Sequence, residues 1–316
     1  MAVFRAFKAL RPTEGKAAAV AALPYDVVNR EEAAAIGKEN PDSFLHVDRA
    51  EMDLPAETDL YDAKVYQKAK ENLHKMEETG VLVQDHKPCY YIYELVRKGK
   101  VQTGIAGCAS IDDYLNNVVK KHELTRSDKE LDRINHVDVC DANTGPIYLA
   151  CRYTDALSAL LEQWKKEHKA AYDFTEEDEI THRVWVIDGD EAISQIQDEM
   201  EKIPALYIAD GHHRAVSAVK VGLKRRQENP DYTGEEAFNY FLSVVFPYDQ
   251  LTILAYNRVV RDLNGQSVED VLEKIKENFD MTIVPGFPAK PVEKHCFGMY
   301  LDGFWSVSYT HLTLPT

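Results

Sequence analysis

Positive charge is scarce in this chain of 316 residues: 37 Lys and Arg stand against 53 Asp and Glu, a formal charge of −16. So acidic a chain repels a phosphate backbone, which excludes general nucleic-acid binding but leaves room for a local seat for a small anion. Cysteine is also sparse. The five, Cys89, Cys108, Cys140, Cys151 and Cys296, are odd in number and form no C-x-x-C pair. That weighs against a disulfide framework or a structural zinc, and Cys108 and Cys151, inside apolar runs, read as small buried hydrophobes. No run approaches the ~18 unbroken apolar residues of a membrane span. The Ala-rich stretch near the N-terminus lacks the apolar centre of an export signal, so a cytoplasmic location and no membrane partner are expected. Internal repeats and low-complexity linkers are absent as well.

What is present is an alternation of strand-like and helix-like segments. Asn29 caps a helix "REEAAAIG" that Gly37 should end, an extended piece is expected around residues 44–47, and a polar helix runs to Gly80. Two β-rich runs meet at Lys98-Gly99-Lys100 as a hairpin. Residues 111–121 read as helical, and Thr125 with Asp128 makes a capping box for a helix starting at Arg126. A strand "TGPIYLACRY", a helix at 154–168, a strand "HRVWVID" and a helix at 191–201 follow. Beyond residue 238, two β-rich runs flank Pro-Tyr-Asp. The amphipathic helix "SVEDVLEKIKENF" follows, and then a hairpin at Leu301-Asp302-Gly303. These elements predict an α/β (α+β) fold, a mixed sheet with flanking helices. The expected divisions are an N-terminal subdomain (1–87), a core (88–262) and a C-terminal segment (263–306). Residues 307–316 match a translated sequencing-library adapter and are expected outside the native fold.

The richest chemistry lies in "ALYIADGHHRA". A buried-type strand stops at Asp210-Gly211, and from Ala215 apolar residues recur at helical spacing, so a helix begins near His213 or Arg214. Such a strand–glycine–helix joint leaves backbone N–H groups free at the positive end of a helix dipole. His212, His213 and Arg214 add donors, and Arg214 can grip an anion bidentately. Asp210 is readable as an N-cap, as an orienter of a histidine, or as a ligand of a metal ion. Zinc on His212 and His213 is disfavoured, because adjacent side chains point apart and no third ligand is suitably spaced. A second cluster is "VVKKHELTR". There Glu123 beside Lys120, Lys121, His122 and Arg126 suits a carboxylate that takes a proton while cations hold phosphates, though a solvated charge-mixed helix has the same composition.

The motifs "PYDVVNREEA", "NPDSFLHVD", "VVKKHELTR", "DRINHVDVCDANTGPIYL" and "LYIADGHHRAVSA", in that order, resemble the DUF1015 family over residues 1–306. Members of that family run on for roughly another hundred residues, so a truncated copy is expected. That family is similar to free L-serine kinases of the ParB/sulfiredoxin-like fold. The resemblance implies a ParB/sulfiredoxin-like core and a nucleotide phosphate site at Asp210, Gly211, His212, His213 and Arg214. It also implies Glu123 as the base, helped by His122, Lys121 and Arg126. The expected cofactors are ATP or ADP with Mg²⁺ near Asp210, and the expected partner is a small hydroxylated metabolite, foremost L-serine. The alternative is a non-catalytic nucleotide-binding regulator. A sulfiredoxin-like redox role would need a cysteine where His212 and His213 stand.

Overall fold

The computed structural model describes residues 2–123, 127–176, 179–254, 257–286, 290–291 and 293–310. The chain forms two compact units, Met1–Thr252 and Ile253–Thr316. Strands of the first are β1 Phe4–Arg5, β2 Leu10–Pro12, β3 Leu82–Gln84, β4 Tyr90–Arg97, β5 Lys100–Ser110, β6 Val119–Lys120, β7 Ile147–Cys151, β8 Tyr172–Thr175, β9 Thr181–Ile187, β10 Leu206–Asp210 and β11 Tyr240–Pro247. Its helices are α1 Ala17–Val20, α2 Arg30–Glu39, α3 Leu45–Asp48, α4 Ala63–Glu78, α5 Ile111–Leu115, α6 Ser127–Cys140, α7 Asp155–Glu167, α8 Asp190–Glu201 and α9 His212–Glu228. Nine strands make one mixed sheet in the order β6-β10-β7-β11-β5-β4-β9-β8, with β1 beside β5. The α/β (α+β) expectation holds.

Alternation sorts this sheet into two unlike faces. On one face Tyr90 and Ile92, Ile105, Ile147 and Leu149, Leu206 and Ile208, and Phe241 and Val245 are buried. They form a single core with Leu157 and Leu161 of α7, Ile196 and Met200 of α8, and Ala215, Ala218 and Val219 of α9. Each fully buried large side chain of this kind contributes roughly 1.5–3 kcal/mol. The interleaved residues Tyr93, Tyr148, His182, Val184 and Phe246 belong to the opposite face. Gly104 on β5 leaves room there: a Cβ would fall 2.8 Å from the Phe246 ring, which stacks on Tyr148 at 5.2 Å.

The hairpins fall where expected. Lys98 (φ 50°) and Gly99 (φ 77°) turn β4 into β5, both in the left-handed region that such tight turns require. In the second unit α10 (Val268–Lys276) precedes β12 (Phe279–Val284), β13 (Cys296–Leu301) and β14 (Phe304–Thr310). These strands form a sheet with β14 central, and Asp302-Gly303 makes the turn. Ser267 and Asp270 build the capping box of α10. Residues 307–310, set outside the fold on sequence grounds, pair with β12 and β13 as part of β14. Residues 311–316 lie outside the described residues.

Four local readings are corrected. Gly37 does not end α2, which continues to Glu39. The glycine serves packing instead, since a Cβ there would sit 2.5 Å from the Met52 Cε and 3.1 Å from the His46 ring. Residues 45–48 are helical, not extended, and the turn sends Leu45 and Val47 into two different buried clusters. Val119–Lys120 is a strand, not helix, drawn into parallel pairing with β10. The β-rich run after residue 250 forms no strand at 251–254 or 257–260, where Ile253 and Val259 are 98% and 97% exposed with no partner edge. The capping box at Thr125 and the helix start at Arg126 lie outside the described residues.

Candidate functional site

β6 and β10 run parallel, with Val119 opposite Leu206 and Lys120 opposite Tyr207. Their carboxyl ends therefore release two loops side by side, Lys121–Glu123 from one and Asp210-Gly211 from the other. Such strand ends are where open α/β sheets gather their ligands. Gly211 (φ 94°, ψ 33°) turns the chain straight into α9, whose first helical bond runs from the Ala215 N–H to the Gly211 carbonyl. The N–H groups of His212, His213 and Arg214 precede that bond and face the open helix end.

The two sequence clusters, about ninety residues apart, meet here. The Glu123 Oε2 lies 3.2 Å from the His212 Nδ1, and the His122 ring stands edge-on to the His212 ring at 4.5 Å. His212 is buried, whereas the Glu123 side chain is 60% exposed. Burial and the neighbouring His122 hold the His212 pKa below the usual histidine range, against the opposing pull of Glu123. The Glu123 carboxylate thus stands beside the Nδ1 edge of His212, and the opposite ring nitrogen, Nε2, is buried without a hydrogen-bond partner. The His213 Nδ1 is likewise buried and unpartnered.

Asp210 does not cap the helix. The cap position is Gly211, with no side-chain cap bond, and the Asp210 Oδ2 instead accepts from the Arg214 Nη2 at 2.6 Å. Arg214 also donates from Nη1 to the Pro146 carbonyl. Gly145 and Gly211 flank this guanidinium, and a Cβ on either would sit 3.2 or 3.1 Å from it. Lys121 is turned away: its Nζ donates to the Tyr114 carbonyl at 3.1 Å and lies 4.1 Å from that ring's centroid. Arg126 lies outside the described residues. For a divalent cation the joint offers one carboxylate, 71% exposed, with one oxygen on Arg214. Among the described residues no cluster of three or more His, Cys, Asp or Glu side chains is arranged for a metal. A lone carboxylate fits Mg²⁺ held chiefly by substrate phosphates and water, and does not fit a protein-built zinc site.

A cavity of about 500 Å³ opens beside the joint. Asp210 and Arg214 border it, with Asn143–Pro146 and Arg133 nearby and Tyr93, Phe174, Glu176 and His182 beyond. Asp210 enters it because β10 carries a bulge. Ile208 pairs with Leu149, but Asp210, not Ala209, pairs with Tyr148, which aims its carboxylate to the face that Tyr148 occupies.

The matching family model is described as "Protein of unknown function (DUF1015)" and covers residues 4–313. The chain belongs to the DUF1015 family. No curated protein and no solved structure matches it. Among the described residues of this DUF1015 chain, no helix is long and apolar enough to cross a membrane.

Sequence reasoning passed over most of the cavity in this DUF1015 protein. Asn143–Pro146 and Tyr25 both border it, and Tyr25 lies 4.2 Å under the Arg133 guanidinium. His136 also borders it, buried and donating from Nε2 to the Val47 carbonyl at 3.1 Å. Burial and Arg133 depress its pKa. Tyr93, His182 and Glu176 carry no local motif, and only period-two alternation hinted that Tyr93 and His182 share a face.

Proposed function

We propose that this protein is a phosphotransferase, moving a phosphoryl group from ATP or ADP to the hydroxyl of a small metabolite, foremost L-serine, on a ParB/sulfiredoxin-like core. One observation carries the reading: Glu123 stands against His212 at the open N-terminus of α9. A proton acceptor and an anion seat thus share one point, which is the minimum that phosphoryl transfer asks of a protein.

In this scheme the α9 amides, with His213, bind the terminal phosphates. Glu123 removes the proton from the acceptor hydroxyl, whose oxygen forms the new bond to phosphorus. The bridging oxygen leaves with its electron pair on the shortened nucleotide. His212, 3.2 Å from Glu123, orients the carboxylate; Arg214, tied to Asp210 and the Pro146 carbonyl, braces the joint and offsets charge. Asp210 would hold Mg²⁺, which when bound neutralises phosphate charge. Incubating the protein with L-serine, Mg²⁺ and either nucleotide, with phosphoserine read by mass spectrometry, tests this. Product at the level of a Glu123→Ala control sinks it.

A further inference from the structure

The cavity is far larger than a free amino acid needs and lies within the range that seats drug-sized ligands. Its two ends differ in chemistry. At the β10 end stand Arg214, Asp210 and the N-terminus of α9. At the other end, on β4, β9 and β8, four to six strand positions along the sheet from β10, the rings are stacked. Phe174 lies 5.2 Å from His182 with planes 15° apart, and His182 lies 6.0 Å from Tyr93 with planes 21° apart.

That aromatic end also carries a hydrogen-bonding edge. The Tyr93 hydroxyl bonds the His182 Nδ1 at 2.8 Å. The opposite ring nitrogen, Nε2, is buried without a hydrogen-bond partner, and the Glu176 carboxylate waits 3.6 Å from it, beyond hydrogen-bonding distance. A ligand group bearing both a donor and an acceptor completes this pair. A flat heterocycle with an exocyclic amine has both: the amine donates to Glu176 and a ring nitrogen addresses His182.

We infer that the cavity is the seat of a nucleotide whose base carries an exocyclic amine. The base lies among Phe174, His182 and Tyr93, with Glu176 reading the amine, and the phosphates reach Arg214 and the α9 amides. This rests on the phosphotransfer reading for the phosphate end, and adds to it a donor-specificity site.

Calorimetric titration of the protein with ADP, UDP and inorganic tripolyphosphate tests the assignment. ADP is expected to bind about tenfold more tightly than UDP or tripolyphosphate, the scale of one base–aromatic stack. Phe174→Ala should erase most of that advantage, and the isosteric Glu176→Gln should narrow the ADP-over-UDP preference while leaving tripolyphosphate unchanged. Equal binding of all three probes, ADP affinity unmoved by both substitutions, or competitive displacement of ADP by L-serine would overturn it. Phosphoserine formed with no dependence on the base sinks the base seat alone. Base-selective ADP binding without phosphoserine leaves the seat standing and sinks the phosphotransfer reading.

Discussion

The two faces of the central sheet are built from the same strands and do opposite work. Leu149 and Tyr148 are neighbours on β7. The first is buried against α7–α9, and the second faces the cavity and stacks on Phe246. Ile92 and Tyr93 divide in the same way on β4. One face is dry and close-packed, so its side chains are interchangeable only by volume. The other holds rings and partly satisfied polar groups around an open cavity. The difference teaches that core packing and cavity lining can be divided residue by residue along a single strand.

The largest effect that would sharpen this contrast is chemical. Glu123→Gln, at an exposed position, should lower turnover by about 10²–10⁴-fold, the range for losing a general base, while the melting temperature stays put. A fall in Tm matching the loss of turnover would assign Glu123 a structural role instead. Next in size, Leu149→Ala on the dry face should cost about 2–5 kcal/mol in denaturant unfolding. Its neighbour change Tyr148→Phe should cost about 1 kcal/mol or less and show in nucleotide affinity; equal costs for the two would erase the distinction between faces. Smaller again, Gly211→Ala forces a side chain into a left-handed backbone (φ 94°) beside Arg214. It should destabilise by about 1 kcal/mol and weaken phosphate binding, with no change in Tm counting against the tight joint.

The smallest effect is in pH. His212 and His136 both have depressed pKa values in the folded state. Their contribution is therefore intact above the ordinary histidine pKa of about 6.5 and is lost as pH falls below it. His46, raised by its hydrogen bond to Asp53, works the other way, stabilising below about 6.5 and fading as pH rises through its folded value. His212→Asn should therefore raise Tm at pH 5.5 relative to its effect at pH 7.5, read by thermal unfolding at the two pH values. The same change in Tm from His212→Asn at both pH values would contradict the depressed His212 pKa.

Much of the fold was legible because its signals are local. Asn29, Thr154 and Ser267 cap helices by side-chain contacts within three residues, and Lys98-Gly99 announces its own turn. What failed was decided by distant partners. Val119–Lys120 becomes a strand only because β10 accepts it, whereas residues 257–260, equally rich in β-formers, find no edge. The joint at Asp210–Arg214 was readable from strand, glycine and helix period alone. Glu123 was readable as a proton acceptor from its own cluster, but its pairing with the joint came only through family resemblance, and the cavity, assembled from strands far apart in sequence, left almost no local trace.

Phosphoryl transfer itself is most directly followed by phosphorus NMR of the protein with L-serine, Mg²⁺ and ATP or ADP. A phosphoserine resonance, distinct from that of any AMP released, should grow as the terminal phosphate of the nucleotide disappears, and it should be absent with Glu123→Gln. Nucleotide that stays intact, or that yields only inorganic phosphate, would contradict the account.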